Sequence, residues 1–208
     1  MRSHITFPVI CCLAGIILHA CGNNTKPSNN SSKIPETILA DSTGVGLFRS
    51  VVLPSDVSGS LYLHSMPGRY NPLSTSISEI ENKEIDIVVS LTSFEEIRQK
   101  SQEYANAIND RSLGFERMEF PIIDFGIPQD SIAFLNLVEN LAGRLNSGEN
   151  LLIHCGAGIG RTGTLASSIL LSLGKDLNES LKIIKNAGSN PETNEQMDLV
   201  RWVADHFK

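Results

Sequence analysis

The sequence predicts an α/β domain with a small central sheet and helices on both sides. Short apolar runs that resemble buried strands alternate with segments whose apolar residues recur at helical spacing. A glycine-rich loop joins the last strand to the next helix. The strands are predicted at 60–65, 86–91, 115–120 and 151–153. The helices are predicted around Ile77 and Ile80 and at 93–109, 131–146, 161–173, 178–187 and 195–207.

The loop within 150–163, NLLIHCGAGIGRTG, has the composition of an anion site. Gly156, Gly158 and Gly160 allow a tight turn in which successive backbone N–H groups point inward. The following helix N-terminus adds partial positive charge, and Arg161 offers a planar fork of donors to phosphate oxygens. Cys155 lies beneath this positive region, which would lower the pKa of its thiol from about 8.5 towards 7 or below. A nucleophile beneath a bound phosphate indicates covalent phosphoryl transfer.

Three other interpretations of this loop fit less well. Gly158-x-Gly160-x-x-Gly163 matches the dinucleotide fingerprint, with Asp176 at a suitable distance. However, a dinucleotide fold needs further strands, and the 45 residues after Gly163 have helical patterns. A nucleotide P-loop is longer and requires lysine where Arg161 stands. A structural cysteine would not explain why the glycines and the arginine occur together.

The run His154, Cys155, five residues, Arg161 and Thr162 resembles the phosphate-binding loop of the cysteine-dependent protein tyrosine phosphatase superfamily, His-Cys-x5-Arg-Ser/Thr. Leu-Tyr-Leu at 61–63 followed by Pro-Gly-Arg at 67–69 resembles the opening of dual-specificity and kinase-associated phosphatases. The resemblance implies one phosphatase domain over 45–208, with a mixed, partly parallel sheet and the phosphate loop between a strand and a helix.

The resemblance also implies a role for each residue of the loop. Cys155 attacks phosphorus, while Arg161 and the loop amides hold the equatorial oxygens. Thr162 would donate a hydrogen bond to the cysteine sulfur, and His154 would orient the loop rather than act as a base. The amides belong to Gly156, Ala157, Gly158, Ile159, Gly160 and Arg161. We expect no metal or other cofactor, because no His, Cys or carboxylate cluster has ligand spacing.

The second informative stretch is PIIDFGIP at 121–128. Asp124 lies in a loop bounded by prolines and hinged at Gly126. The reaction needs an acid for the departing oxygen, and the resulting carboxylate can then take a proton from water. The order of Asp124 before Cys155 resembles the general-acid loop of this phosphatase group. The alternatives are Asp130, which a helix cap explains, and Glu119, which lies within a strand pattern.

Other residues near these motifs have ordinary structural interpretations. Arg69 could contact substrate, but we favour a solvated turn residue. Gln196 stands where the kinase-associated type carries a glutamine that faces the pocket, and a solvated helix glutamine is at least as good an interpretation. Ser93 and Glu96 form a capping box, and the charge of Glu96 is assigned to the wet face of the helix. Trp202 is assigned to the core.

Residues 1–20 have the pattern of a bacterial lipoprotein signal peptide. Arg2 precedes a 14-residue apolar run at 5–18, and LHAC at 18–21 resembles a lipobox. An ordinary signal peptide or an uncleaved anchor is the alternative. Lipidation at Cys21 would anchor the chain, and the polar residues 21–44 are predicted to be a flexible tether. We therefore expect an exported, membrane-anchored lipoprotein, on the periplasmic side or in the outer membrane of a bacterium.

Charge and loop composition bear on partners. The net charge of −6 provides no basic surface for nucleic acid. The expected partner is a phosphorylated protein or small phosphate ester, and we expect a monomer. Because Ala157 and Ile159 are neutral, we favour phosphotyrosine or mixed phosphotyrosine and phosphoserine/threonine proteins. The alternatives are inositol phosphates, a catalytically silent phospho-binding module, sulfur transfer, and arsenate reduction, which needs a resolving thiol.

Overall fold

A computed structural model describes residues 48–208. The predicted signal peptide at 1–20, the tether at 21–44 and the lipidation site Cys21 lie outside these described residues. No helix within 48–208 is long and apolar enough to cross a membrane.

Five strands form one mixed sheet in the order β1-β2-β5-β3-β4. β1 runs antiparallel to β2, whereas β2, β5, β3 and β4 are parallel to one another. The predicted α/β class and partly parallel sheet are therefore confirmed. β1 was not among the predicted strands, because its three residues are too few to show the two-residue alternation of a strand. The strands are β1 Arg49–Val51, β2 Ser60–His64, β3 Ile87–Ser90, β4 Glu116–Glu119 and β5 Asn150–His154.

Within residues 48–208, seven helices accompany the sheet, and most begin at a capping side chain. The Asp130 carboxylate accepts from the backbone N–H groups of Ile132 and Ala133 at 2.9 Å, as predicted for a cap. Asp176 and Thr193 cap α6 and α7 in the same way. The helices are α1 Leu73–Asn82, α2 Phe94–Lys100, α3 Gln102–Asn109, α4 Ser131–Asn146, α5 Gly160–Ser172, α6 Leu177–Asn186 and α7 Asn194–His206.

The single helix predicted at 93–109 is wrong, because the chain breaks at Ser101 between α2 and α3. Ser101 has φ −154° and ψ 85°, outside the helical region. Its hydroxyl donates to the carbonyl of Pro67 at 2.8 Å, in the turn after β2. A serine that bonds outside its helix competes with the helical ladder, which explains the break.

Both faces of the sheet are covered, so its central strands are apolar on both sides. On one face, Ile87, Val89, Leu151 and Ile153 belong to the main core with residues of α4 to α7. On the other face, Val88 and Leu152 form a smaller cluster with residues of and near α1. The helix after the phosphate loop, α5, is buried along nearly its whole length.

Gly163 allows α5 to approach the segment before α7. A Cβ at Gly163 would lie 2.5 Å from the backbone nitrogen of Asn190. Trp202 of α7 was predicted to be core but is 38% exposed, so that assignment is wrong.

Candidate active site

The predicted site residues follow the carboxyl ends of parallel strands. His154 at the end of β5 is in register with His64 of β2 and Ser90 of β3. The loops that leave these strands therefore meet at one edge of the sheet, where α/β proteins commonly bind ligands. The loop after β4, at the same edge, carries Asp124.

Cys155 lies at the base of the glycine-rich loop and is 3% exposed. Its Sγ accepts a hydrogen bond from the backbone N–H of Gly158 at 3.2 Å. Gly158 has φ +77°, and a Cβ there would lie 2.3 Å from the carbonyl oxygen of His64. Glycine is therefore required at 158, both for the left-handed backbone and for the close approach of β2.

Gly156 has a different role, because its lack of a side chain leaves room for neighbouring charged groups. A Cβ at Gly156 would lie 2.8 Å from Glu96 Oε1, 3.0 Å from Arg69 Nη1 and 3.2 Å from Arg161 Nη2. The absent side chain leaves room for three charged groups to meet beside the loop. The sequence predicted a tight turn at this glycine but not the space that it leaves.

Arg161 is held by five acceptor contacts, although its side chain is only 1% exposed. Glu96 accepts from both terminal nitrogens, at 2.8 and 2.9 Å. The carbonyl of Ile122 accepts from Nη1 at 2.9 Å, with Leu91 at 3.4 Å, and Asp124 accepts from Nη2 at 2.7 Å. Burial disfavours the charged form, but the hydrogen bonds to Glu96 and the charges of Cys155, Glu96 and Asp124 outweigh burial and raise the pKa of Arg161.

Glu96 is the site residue that sequence analysis assigned wrongly. Ser93 does accept from the Glu96 backbone N–H at 3.2 Å, as the capping box predicts. The carboxylate, however, turns inward to Arg161 instead of lying on a wet helix face, and Lys100 donates to it at 2.8 Å. Burial opposes the charged form of Glu96, but hydrogen bonds from Arg161 and Lys100 outweigh it and lower its pKa from 4.5 to about 2. Its position just after β3 is the signal that could have identified it.

Asp124 reaches the same cluster from the loop after β4. Its Oδ1 accepts from Arg161 at 2.7 Å and its Oδ2 from Lys100 at 3.2 Å, while its side chain stays 49% exposed. The loop turns at Phe125, which has φ +58°. The rival acids lie elsewhere: Asp130 caps α4, and Glu119 pairs with Arg117. The structure thus brings Asp124 to the loop arginine but neither alternative.

Gln196 of α7 is buried, so its interpretation as a solvated glutamine is wrong. Its side-chain amide donates to the carbonyl of Gly126 at 3.0 Å, in the acid loop. Its oxygen accepts from the N–H of Glu192 at 2.9 Å and lies 3.1 Å from the Cβ position of Gly160. Gln196 therefore connects the acid loop to the mouth of the phosphate loop.

His154 is fully buried beneath the loop, and burial lowers its pKa from 6.5 to about 3. Its Nδ1 lies 3.3 Å from the carbonyl oxygen of Cys155, and its Nε2 lies 3.4 Å from the Tyr104 hydroxyl. A neutral, enclosed imidazole suits an orienting role. The Thr162 hydroxyl is buried without a hydrogen-bond partner among the described residues, so the predicted bond to the sulfur is not formed here. Its role stays a prediction.

Metal ligands are a separate question. Within residues 48–208, no group of three or more His, Cys, Asp or Glu side chains is arranged to hold a metal ion.

Comparisons with known proteins match this architecture. Residues 64–175 match the family model described as "Polymorphic toxin system, DSP-PTPase phosphatase". A protein of Invertebrate iridescent virus 6 named tyrosine phosphatase 197R is 30% identical over 87 residues, which span 40% of this chain and 32% of the viral protein. The chain thus matches about a third of that relative's length.

Solved structures agree on the fold. A kinase associated phosphatase whose catalytic site cysteine is replaced by serine superposes with a TM-score of 0.67 at 19% identity, over 77% of this chain and 95% of that one. Tk-PTP in its active form gives 0.58 at 25% identity, over 76% and 97%. Human DUSP28 gives 0.53 at 14% identity, over 76% and 94%.

These matches confirm the predicted class, that of cysteine-dependent protein tyrosine and dual-specificity phosphatases. The family model covers more than half of the chain. This chain therefore belongs to the DSP-PTPase phosphatase family of polymorphic toxin systems.

Proposed function

We propose that this domain hydrolyses phosphate monoesters of phosphotyrosine or of mixed phosphotyrosine and phosphoserine/threonine proteins, through a cysteinyl-phosphate intermediate. The observation that carries the proposal is the convergence of Cys155, Arg161 and Asp124 at one edge of the sheet. A nucleophile, an anion-binding guanidinium and an exposed carboxyl group together meet the needs of a two-step displacement.

In the first step, the Cys155 sulfur attacks phosphorus and the bond to the leaving oxygen breaks. The loop amides and Arg161 hold the three equatorial oxygens as negative charge spreads over them. Asp124 gives its proton to the leaving oxygen. Because Asp124 now occupies Nη2 of Arg161, a bound phosphate must displace it from that nitrogen.

In the second step, water attacks phosphorus and the sulfur–phosphorus bond breaks. Asp124, now a carboxylate, takes a proton from the attacking water. Inorganic phosphate leaves, and the sulfur is restored as a thiolate. Gln196 supports this step by holding the carbonyl of Gly126, two residues after Asp124.

The surroundings of the acid loop favour a protein substrate. Ile123 and Phe125, on either side of Asp124, are 72% and 61% exposed, and Ile127 is also exposed. These apolar side chains offer contacts to the aromatic ring of phosphotyrosine or to apolar residues beside it.

Arg69 favours a second candidate substrate, an inositol phosphate. Its guanidinium is half-buried beside Gly156, stacks at 4.6 Å on the ring of Tyr70, and forms no ion pair within 48–208. Its side chain is partly solvated, and its donors, which pair with no carboxylate within 48–208, suit a substrate with a second anionic group. Phosphotyrosyl peptide and inositol hexakisphosphate should be compared with wild type, Arg69→Gln and, as a charge-matched control, Arg98→Gln. A selective loss for inositol hexakisphosphate in Arg69→Gln would favour the second candidate.

Turnover of para-nitrophenyl phosphate by the full chain tests the class of reaction. Cys155→Ser should abolish turnover while retaining binding of phosphate or vanadate. Metal-dependent activity that survives in Cys155→Ser would contradict the scheme. Binding without turnover in the wild type would instead support a catalytically silent phospho-binding module.

We also propose that the chain is exported and anchored through a lipidated Cys21, and that it acts as a monomer. The lipobox-like LHAC after an apolar run supports the anchor. Incorporation of labelled palmitate, lost in Cys21→Ser, tests it in a bacterial host. Light scattering of the detergent-solubilised chain tests the monomer.

A further inference from the structure

Arg49 contacts the phosphate loop at Gly158, where Arg161 has no hydrogen bond. It lies on β1, and its Nη2 donates to the carbonyl of Gly158 at 2.5 Å, while its Nη1 donates to the carbonyl of Gly188. The Ser189 hydroxyl also donates to the Gly158 carbonyl, at 2.6 Å. The N–H of Gly158 donates to Cys155 Sγ at 3.2 Å. Arg49 therefore binds the carbonyl oxygen of Gly158, and the sulfur of Cys155 binds the N–H of the same residue.

Arg49 has no carboxylate to balance its charge. It forms no ion pair within 48–208, and its known acceptors are neutral backbone carbonyls. A partly buried cation without a carboxylate beside it is less well stabilised than a paired one. Burial lowers the pKa of Arg49, and the negative charge of Cys155 raises it. An ionised Cys155 sulfur would supply a negative charge for this guanidinium.

Arg161 is differently placed, because it forms ion pairs with Glu96 and Asp124, although the charge of Cys155 acts on it as well. His154 is neutral at neutral pH, so it adds no cation. The titratable and charged groups around the loop are Arg49 from β1, His64 from β2, Glu96 and Lys100 from α2, Asp124 from the loop after β4, His154 from β5, Arg161 from α5, and Arg69 and Glu192 from the neighbouring loops. Among these cations, Arg49 is the one that both donates to the loop backbone, at the Gly158 carbonyl, and forms no ion pair with a carboxylate within 48–208.

We propose that Arg49 is a positioning residue of this site, which restrains the backbone at Gly158 and stabilises the thiolate form of Cys155. The carbonyl and the N–H of Gly158 lie in adjacent peptide planes, so holding the carbonyl restrains the φ and ψ of Gly158 that direct its N–H at the sulfur. The positive charge then favours the ionised sulfur before substrate arrives. This inference rests on the proposed function only in that the thiolate is the nucleophile.

The test follows the ionisation of Cys155 without using any substrate. Alkylation by iodoacetamide is measured against pH in the full chain, and the peptide that contains Cys155 is quantified by mass spectrometry. Arg49→Gln should move the midpoint upward by roughly half a unit to one unit, the lower end of the effect of one nearby charge. Arg49→Lys keeps the charge and should retain most of the wild-type midpoint, although it cannot bridge two carbonyls.

Two control variants separate charge from structure. Ser189→Ala removes the other donor to the Gly158 carbonyl but no charge, so its midpoint should stay at the wild-type value. Arg201→Gln removes one exposed charge on α7 and should also leave it unchanged. A midpoint in Arg49→Gln equal to that of the controls would overturn the proposal, as would an equal shift in Ser189→Ala.

Folding is checked by thermal unfolding of each variant. Arg49→Met serves as a second neutral variant, because a flexible apolar chain tolerates burial. If both neutral variants unfold, Arg49→Lys decides: a midpoint close to the wild-type value supports the proposal, and a midpoint raised by a full unit although the charge is kept overturns it. Failure of the proposed function would give a different result. Para-nitrophenyl phosphate would not be hydrolysed by the wild type, whether or not Arg49→Gln moves the alkylation midpoint of Cys155.

Discussion

Replacing Glu96 with glutamine should weaken both the fold and the reaction. Glu96 holds both terminal nitrogens of Arg161, and its side chain is only 14% exposed. Its pKa is lowered from 4.5 to about 2, a difference that corresponds to about 3 kcal/mol at pH 7. Because water screens part of this charge at the open side of the cluster, we expect a loss of about 2 kcal/mol.

The stabilisation that Glu96 contributes should depend on pH. The folded-state pKa of Glu96 lies below its unfolded value, so the stabilisation is complete above about pH 4.5 and is lost as the pH falls towards 2. Unfolding of wild type and Glu96→Gln in urea at pH 7 and pH 3 measures it. The gap between the two proteins should be widest at pH 7 and shrink by more than half at pH 3.

Activity adds a second readout. Without the carboxylate, Arg161 is less firmly oriented, and kcat/KM for para-nitrophenyl phosphate should fall about tenfold or more. Glu95→Gln, which changes an exposed neighbour on α2, is the matched control. Equal stability of Glu96→Gln and wild type at pH 7, or a gap that persists unchanged at pH 3, would refute the role assigned to Glu96.

Three further substitutions test other parts of the site. Asp124→Asn should lower kcat by about 10²–10⁴ for phosphotyrosyl peptides but much less for para-nitrophenyl phosphate. It should also tighten vanadate binding, because the carboxylate no longer competes for Arg161; an equal loss for both substrates would remove Asp124 from the acid role. Gln196→Ala should lower kcat about tenfold with little change in KM, since the acid loop loses its tie to α7; unchanged steady-state kinetics would argue against that tie. Gly163→Ala should destabilise the domain by about 1–3 kcal/mol in urea, because its Cβ meets the backbone of Asn190. Gly143→Ala, where a Cβ meets nothing within 4 Å, is the control and should be neutral or stabilising.

The parts of the site that are local in sequence could be predicted. The strand, glycine loop and helix around Cys155 are consecutive, so composition and spacing were enough to place the nucleophile and Arg161 at one end of a strand. Asp130 could likewise be predicted as a helix cap, because it directly precedes a segment whose apolar residues recur at helical spacing.

The parts that depend on distant partners could not be predicted. Glu96 lies 65 residues from Arg161, and Arg49 lies 109 residues from Gly158. A single sequence shows a charged residue on a helix or a short strand, but not which side chain it will face. The same reason accounts for Ser101, whose bond to Pro67 breaks a helix that propensity alone would continue.

The positions of β4 and β5 in the sheet predict different mobility for the nucleophile and for the proton donor. Cys155 follows β5, which is hydrogen-bonded to β2 on one side and β3 on the other. Asp124 follows β4, an edge strand paired on one side and partly open to solvent. In hydrogen exchange, amides of β5 should open only with the whole domain, whereas those near Asp124 should open locally. The nucleophile is thus the fixed reference point of the reaction, and the proton donor is the part free to adjust to the leaving group.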